Sequence, residues 1–188
     1  MRVVSIAASV IFAFTSSQPA QAADVPLRFD MGSEESPLAE GHVPITPRSE
    51  WTAARGYGWE STNLTASLCD DLPDIRKLEL YDFMVSQLDD VNRDAVVSDS
   101  EMVFRVDVPN GDWRVSVTLG DMSQAIGSID LSINEQLVEK NLSAWSPGSQ
   151  GFGNHRRLMM EPYGWWRTVR SSVAVTDGTI RIKLSKDQ

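Results

Sequence analysis

The sequence predicts an all-β fold, a sandwich of two packed sheets. Apolar and polar residues alternate with a period of two in several runs of the C-terminal half, as expected for strands that bury one face. Turn dipeptides such as Asn-Gly and Asp-Gly separate these runs at short intervals, a spacing typical of β-sandwiches. With 41% hydrophobic residues, the chain can bury a core.

The first strand of the domain is predicted at Leu27–Gly32, where glycine stops the run, and residues 33–49 are predicted to be loop because they contain three prolines. Further on, Met102–Val108 and Trp113–Leu119 alternate on either side of residues 109–112, which read Pro-Asn-Gly-Asp. Asn-Gly is the strongest short hairpin signal. We therefore expect these two runs to pair as an antiparallel hairpin.

Two more hairpins are predicted towards the end of the chain. Ile129–Ile133 and Gln136–Glu139 flank an Asn-Glu turn, and residues 169–175 and 180–184 flank Asp177-Gly178. The region around residues 70–90 is ambiguous. Asp71 and Pro73 are suited to the start of a helix, yet residues 78–82 also alternate. We expect a short helix or an irregular insertion there.

Residues 1–22 are predicted to be a signal peptide. Arg2 precedes an apolar run over residues 3–14, and Ala20-Gln21-Ala22 is a small-x-small cleavage site. A helix of this run would rise only ~18 Å, too short for the ~30 Å hydrocarbon core of a bilayer. We expect a secreted or periplasmic protein, with residues 23–188 as its one folded domain and no membrane span in the mature chain.

The charge balance of the sequence limits the classes of molecule that the protein is expected to bind. Lys and Arg total 17 against 26 Asp and Glu, a formal net charge of −9. Such a surface repels phosphate backbones and anionic lipid, so nucleic acid is not the expected partner. Cys69 is the only cysteine, which excludes an internal disulfide, and its acidic neighbours Asp70 and Asp71 disfavour a reactive thiolate.

Short motifs along the chain resemble a known family. They begin with Phe29-Asp30-Met31-Gly32 and continue in order through residues 39–41 (Ala-Glu-Gly), 43–47 (Val-Pro-Ile-Thr-Pro), 55–59 (Arg-Gly-Tyr-Gly-Trp), 92–94 (Asn-Arg-Asp), 104–111 and 120–121. Together they resemble the galactose-binding-like β-sandwich domain that accompanies β-agarases and rhamnogalacturonan acetylesterases of the YXIM esterase-like type. Residues 146–168 look like an insertion relative to that pattern.

The resemblance implies a jelly-roll topology and an auxiliary role in carbohydrate recognition, beside a carbohydrate-active enzyme. It also allows a structural calcium ion near a sheet edge, for which Asp30, Glu34 and Glu40 could supply hard oxygens. The alternative is that these acids are simply solvated. No dedicated metal site or other cofactor is expected, because two histidines and one cysteine make no spaced cluster.

Catalysis is not expected from the sequence. Where esterases of this kind carry Gly-Asp-Ser, residues 120–122 read Gly-Asp-Met, and methionine cannot act as a nucleophile. No Gly-x-Ser-x-Gly elbow occurs. Paired carboxylates for glycoside hydrolysis cannot be chosen from the sequence. We therefore expect no catalytic residues and a protein that is not an enzyme.

Sugar binding is expected at aromatic side chains, because the C–H face of a sugar packs on a flat indole while nearby polar groups bind its hydroxyls. The alternative is that these rings cover the sandwich, and that Arg93-Asp94 is a buried structural pair. The candidate ligand-binding residues are Trp145, His155, Arg156, Tyr163, Trp165, Trp166, Arg93 and Asp94.

The sequence therefore predicts a non-catalytic, secreted carbohydrate-binding module for plant or algal polysaccharide. One alternative is a structural or protein-docking module of the cell envelope that binds no sugar. A second is a small carbohydrate-active hydrolase.

Overall fold

The computed structural model shows an all-β protein and describes residues 8–13, 26–68, 91, 94–120, 126–144 and 166–186. No helix occurs in these ranges, so the predicted all-β fold is confirmed, while the jelly-roll topology stays a prediction. None of the described segments is a helix long and apolar enough to cross a bilayer. The predicted helix or insertion at residues 70–90 lies outside the described residues.

The described residues form twelve strands. In chain order they are β1 Ala8–Ala13, β2 Arg28–Met31, β3 Val43–Ile45, β4 Tyr57–Trp59, β5 Thr65–Leu68, β6 Asp94–Val97, β7 Met102–Asp107, β8 Gly111–Gly120, β9 Ile126–Ile133, β10 Gln136–Ala144, β11 Trp166–Val175 and β12 Thr179–Lys186.

These strands make two five-stranded sheets and one short ribbon. Sheet 1 has the order β11-β8-β1-β2-β3, and sheet 2 has the order β10-β9-β12-β7-β4. β5 and β6 pair as a separate antiparallel ribbon. Neighbouring strands are antiparallel except β2 and β3, which run parallel.

The core lies between the two sheets and follows the period-two pattern. On β8, Val115, Val117 and Leu119 are buried and the residues between them are more exposed. Phe29 of sheet 1 meets Phe104 of sheet 2 edge to face, with ring centroids 5.2 Å apart. This contact joins the two layers, and edge-to-face geometry adds to the hydrophobic gain of burying both rings.

The predicted hairpin between residues 102–108 and 113–119 is wrong. β7 pairs with β12 and β4 in sheet 2, whereas β8 pairs with β11 and β1 in sheet 1. Gly111 has a positive φ of 146°, but Asn110 does not have one. The Asn-Gly pair therefore does not form the type I′ turn that a two-residue hairpin needs. The segment instead carries the chain from one sheet to the other.

The predicted hairpin at Asp177-Gly178 is wrong for the same reason, because β11 belongs to sheet 1 and β12 to sheet 2. The two crossing connections lie side by side. Val108 donates its backbone N–H to the carbonyl of Gly178 at 2.9 Å. The backbone N–H of Gly178 donates to Oδ1 of Asn110 at 2.8 Å. We call this pair of connections the corner.

The third predicted hairpin is confirmed. β9 and β10 pair antiparallel with Gln136 opposite Ile133. Asn134 and Glu135 between them have φ values of 47° and 61°. Two successive left-handed residues are the signature of a type I′ turn, whose twist matches the flanking strands.

Residues 55–59 include β4, the edge strand of sheet 2, and they hold the preceding loop against this sheet. Trp59 is buried and donates its indole N–H to the carbonyl of Thr46 at 3.0 Å. Gly58 has a φ of 142°, and a β-carbon there would lie 2.5 Å from the carbonyl carbon of Glu50 and from the backbone nitrogen of Trp51. Only glycine fits this approach.

Replacing Gly58 with alanine is therefore expected to lower the free energy of unfolding by about 2 kcal/mol or more, from backbone strain plus the clash. Urea denaturation measures it. Gly41→Ala is the matched control, because Gly41 also has a left-handed φ but has open space at its β-carbon position. It is expected to cost about 1 kcal/mol. Equal losses in the two variants would contradict the close-packing argument.

The corner is tested by Asn110→Ala, which removes the acceptor for the backbone N–H of Gly178. We expect the free energy of unfolding to fall by about 1 kcal/mol, the usual value of such a hydrogen bond. Asp112→Ala, at an exposed neighbouring position, is expected to change it by less than about 0.5 kcal/mol. If Asn110→Ala proves as stable as the unmodified chain, the side-chain contact does not hold the corner.

Candidate functional site

Most of the residues predicted to bind sugar lie outside the described residues. These are Arg93, Trp145, His155, Arg156, Tyr163 and Trp165. Trp166 begins β11 opposite Gly120, but only its backbone is described. Asp94, the first residue of β6, is the one candidate whose side chain can be placed. The predicted grouping of the aromatic rings therefore stays a prediction.

Asp94 lies beside a depression of about 320 Å³ between β2, β3 and β6, which we call the hollow. Its residues come from the end of β2, the loop that follows it, the end of β3 and the start of β6. They are Asp30, Gly32, Ser33, Glu34, Ser36, Pro37, Leu38, Pro44, Ile45, Thr46 and Asp94.

The carboxylate of Asp94 occupies the place where a side chain at position 32 would be. A β-carbon built on Gly32 would overlap Oδ2 of Asp94, so glycine at this position makes room for the acid. Both carboxylate oxygens are buried, and neither makes a hydrogen bond of good geometry with a described residue, although Ser33 and Ser36 lie close to them. A carboxylate in this condition is costly unless it holds a proton or gains a partner.

Burial raises the pKa of the Asp94 carboxyl from its ordinary value of 3.8 to about 6. The nearby carboxylate of Asp30 raises the pKa further by repulsion, whereas Ser36 and the backbone of Ser33 lower it. Asp30 is itself buried, and its Oδ2 accepts the backbone N–H of Ala39 at 2.9 Å. Two acids thus share one side of the hollow, and burial together with their repulsion makes Asp94 easier to protonate than an ordinary aspartate.

A larger depression of about 580 Å³, which we call the groove, continues from the hollow through the shared residues Ser33, Glu34 and Thr46. It runs towards the start of the β5–β6 ribbon. Its other residues are Glu35, Pro47, Arg48, Glu50, Ser61, Thr62, Asn63, Leu64, Thr65 and Ala66.

Most residues that line the groove carry hydroxyl, amide or charged side chains. Arg48 pairs with Glu34 at 3.4 Å, and the two side chains are 86% and 66% exposed. Such exposed pairs contribute little to stability and rearrange readily. With Glu35 and Glu50 also present, acids outnumber bases along the groove. Its electrostatics therefore disfavour an anionic ligand.

A second polar cluster covers the outer face of sheet 2. Arg105 stacks on the ring of Trp51 with its guanidinium carbon 3.7 Å from the ring centroid. Its Nε donates to Asp107 at 2.9 Å and its Nη1 to Glu60 at 3.3 Å. Arg181 donates to the second oxygen of Glu60 at 3.0 Å. Each of these charges has a partner within the cluster, which is consistent with a structural role. Sequence analysis missed it, although alternating charges at 105 and 107 mark an outward face.

No catalytic constellation of serine, histidine and acid is seen among the described side chains. His42 lies in the loop before β3, where its Nδ1 is 3.1 Å from the carbonyl oxygen of Glu40. The acids considered for calcium, Asp30, Glu34 and Glu40, do not form a metal-binding group, and no cluster of three or more such side chains occurs in the described ranges.

Comparison with known proteins gives a likeness to a solved structure. No protein-family model matches the chain, and no curated protein matches it. Among solved structures, the chain is similar to the YxiM protein from Bacillus subtilis, with 17% identity and a TM-score of 0.46. The match covers 85% of this chain and 39% of YxiM, so the chain spans well under two thirds of that protein.

This likeness corrects one expectation from the sequence. The chain was expected not to be an enzyme, but the solved structure to which it is similar, YxiM, is of the esterase-like type that the sequence motifs resemble. The statement that this chain lacks catalytic activity is therefore withdrawn. At 17% identity and a TM-score below 0.5, the likeness assigns neither an activity nor an active-site residue to this chain. The resemblance to YXIM-type proteins is supported only at this coarse level.

The raised pKa of Asp94 predicts how stability depends on pH. The folded state holds this proton more tightly than the unfolded state, so the contribution of Asp94 to the free energy of unfolding falls as pH rises from about 4 through about 6. The variant Asp94→Asn should lack this decrease in the free energy of unfolding with pH. At pH 7.5 we expect this variant to be more stable than the unmodified chain by roughly 1 kcal/mol, a figure reduced because the side chain is partly exposed.

Urea denaturation between pH 4 and pH 8 measures this difference directly. Asp99→Asn, an exposed acid just beyond β6, is the control, and its curve should run parallel to that of the unmodified chain. If the Asp94→Asn curve is parallel as well, Asp94 has an ordinary pKa in the folded state and the hollow does not strain its charge.

Proposed function

We propose that this chain is an exported carbohydrate-binding domain of the galactose-binding-like jelly-roll type, and that its groove binds a neutral oligosaccharide of plant or algal origin. The observation that carries the proposal is the groove itself. It combines a volume typical of ligand sites with lining residues most of which carry hydroxyl, amide, carboxylate or guanidinium groups.

The groove is suited to sugar hydroxyls because it offers both donors and acceptors within one depression. Arg48 and the amide of Asn63 donate, Glu34 and Glu50 accept, and the hydroxyls of Ser61 and Thr62 do either. The side chains of Glu34, Arg48, Glu50, Thr62 and Asn63 belong to exposed residues that a ligand can reach. Asp94 plays a different part. Because its oxygens are buried, it shapes the adjoining hollow and sets its charge.

Charge indicates the class of glycan. Anionic polysaccharides such as galacturonans would meet Glu34, Glu35 and Glu50 with only Arg48 to offset them. A neutral galactan or agarose-type chain has no such repulsion. The predicted aromatic residues Trp145, Tyr163, Trp165 and Trp166 remain a second candidate surface for the same glycan. Export to the periplasm or the cell exterior, beside a carbohydrate-active enzyme, would place the domain where such polysaccharides occur.

The proposal is tested by titrating the protein with neutral agaro- and galacto-oligosaccharides and following its backbone amide signals by NMR. We expect binding at millimolar ligand or below, with shifts confined to residues 33–35, 46–50 and 61–66. Glu34→Ala and Arg48→Ala should each weaken binding at least fivefold and leave the melting temperature unchanged, since their exposed pair stabilises the fold very little.

Matched controls are Glu139→Ala and Arg170→Ala, which remove one exposed acid and one exposed base on β10 and β11, away from the groove. These should bind as the unmodified protein does. Shifts confined to residues 145–166 would move the site to the aromatic surface. Absence of any response to neutral and pectic oligosaccharides would overturn the carbohydrate proposal.

Hydrolysis of glycosides and acetyl esters by the protein is assayed alongside the binding experiment. Glycoside hydrolysis needs two carboxylates across a cleft, and Glu34, Glu35 and Glu50 line the groove. Chromogenic glycosides and acetyl esters are therefore incubated with the protein and with Glu34→Gln, Glu35→Gln and Glu50→Gln. Loss of turnover in one of these variants would show that the groove cleaves its ligand as well as binding it.

A further inference from the structure

The loop of residues 33–39 takes part in both the hollow and the groove, and we call it the shared loop. Ser33 and Glu34 line both depressions, Glu35 lines the groove, and Ser36 lines the hollow. A displacement of the shared loop would therefore change the shape of both depressions at once.

The shared loop is held together by its own serines. The backbone N–H of Ser33 donates to Oγ of Ser36 at 3.0 Å, and the two hydroxyl oxygens lie 2.8 Å apart. Leu38, the largest apolar side chain of the loop, is 47% exposed, so its burial contributes little to holding the loop against the sheets. The loop can therefore move as a unit when its outside contacts change.

Two acids contact the shared loop at its two ends. At the end of the loop, Oδ2 of Asp30 accepts the backbone N–H of Ala39 at 2.9 Å. At its beginning, the carboxyl of Asp94 occupies the place where a β-carbon of Gly32 would lie, close to Ser33. The position of the loop thus depends on the charge state of these acids.

The strands that carry the two acids are fixed by sheet pairing. β2 pairs with β3, and the backbone N–H of Gly32 donates to the carbonyl of Ile45 at 2.9 Å. β6 pairs with β5. Because the strands are paired in this way, a change in the charge of Asp94 displaces the shared loop more easily than it displaces the strands.

Ionisation of Asp94 puts a charge where the described arrangement gives it little support. Burial, followed by repulsion from Asp30, raises the pKa of this carboxyl to about 6, although Ser36 and the backbone of Ser33 act in the opposite direction. A neutral carboxyl fits the buried position and can donate its own proton, whereas the ionised form needs water or a further donor. Movement of the shared loop would admit water to it.

An acid, rather than a base, is the charged group that acts on the pKa of Asp94, and it is Asp30. The strands β1, β3 and β5 and the rest of β6 carry no titratable side chain. The other charged and titratable groups on the described elements around the hollow are Arg28 on β2, Glu34 and Glu35 in the shared loop, Glu40 and His42 directly after it, and Arg48 after β3.

We propose that Asp94 and Asp30 form a pH-sensitive switch that controls the shared loop and, through it, ligand binding in the groove. While Asp94 is protonated, the loop stays in the described position. When Asp94 ionises, repulsion from Asp30 and hydration of the carboxylate displace the loop, and the groove binds its ligand more weakly. The effect on the ligand rests on the proposed function, whereas the movement of the loop does not.

The movement of the loop is tested on the full chain without ligand. The chemical shifts and NMR relaxation of the amides of residues 33–39 are measured between pH 4 and pH 8. We expect these amides to shift and to become more mobile with a midpoint near pH 6. Asp94→Asn, which stays neutral, should keep them ordered at pH 8. The control Asp99→Asn changes an exposed acid and should behave like the unmodified chain.

Asp30→Asn is the second variant, and it also decides the matter if Asp94→Asn does not fold. Its amide oxygen can still accept the backbone N–H of Ala39, but it removes the negative charge beside Asp94. The midpoint should move to lower pH without reaching 3.8, because burial still acts on Asp94. An unchanged midpoint overturns the role of the pair. Loop amides that do not respond to pH, or that respond equally in Asp94→Asn, overturn the switch.

Ligand affinity is then compared at pH 5 and pH 8 with the neutral galacto-oligosaccharides. We expect binding to be weaker at pH 8 by about fivefold or more, the lower end of the usual coupling between sites. Asp94→Asn should not show this loss, a comparison that excludes titration of the other acids of the groove. Equal affinity of the unmodified chain at both pH values overturns the control of the groove. If no oligosaccharide binds at either pH, the proposed function fails, while the amide measurements still decide whether the switch moves the loop.

Discussion

The corner is the constraint on which the sandwich depends. At this point the chain passes from sheet 2 to sheet 1 after Val108 and returns from sheet 1 to sheet 2 at Gly178, and the two passages are joined by backbone and side-chain hydrogen bonds. β8 pairs with β11 over ten residues and β7 pairs with β12 over six, so the two passages join long antiparallel pairs in both sheets. The sheets are thereby held face to face, and rings such as Phe29 and Phe104 meet between them.

The groove and the hollow are formed by the loops around β3 and by the β5–β6 ribbon. Sheet 1 ends in β3, and the loops beside it are held by few but specific contacts, such as the indole of Trp59 on the carbonyl of Thr46. The β5–β6 ribbon then lies beside these loops and forms the remaining side of the groove. Close packing at Gly32 and Gly58 keeps the loops in position, whereas the polar side chains that they carry point into open space. Rigid support with exposed polar groups is the usual arrangement of a binding site on loops.

Sequence reasoning succeeded where the information is local. Period-two alternation located the main strands and their buried faces, and Asn134-Glu135 formed the turn that its neighbours predicted. Sequence reasoning failed to predict which strands pair with one another. The alternation of residues 102–108 specifies which side chains are buried, but a strand can bury the same face in either sheet. Asn110-Gly111 makes a crossing, and Asn110 accepts a hydrogen bond from Gly178, 68 residues away in the sequence, a contact that local patterns cannot reveal. The motif containing Asp94 was found, yet its opposition to Gly32 and Asp30 was not, since only the fold brings β2 and β6 together.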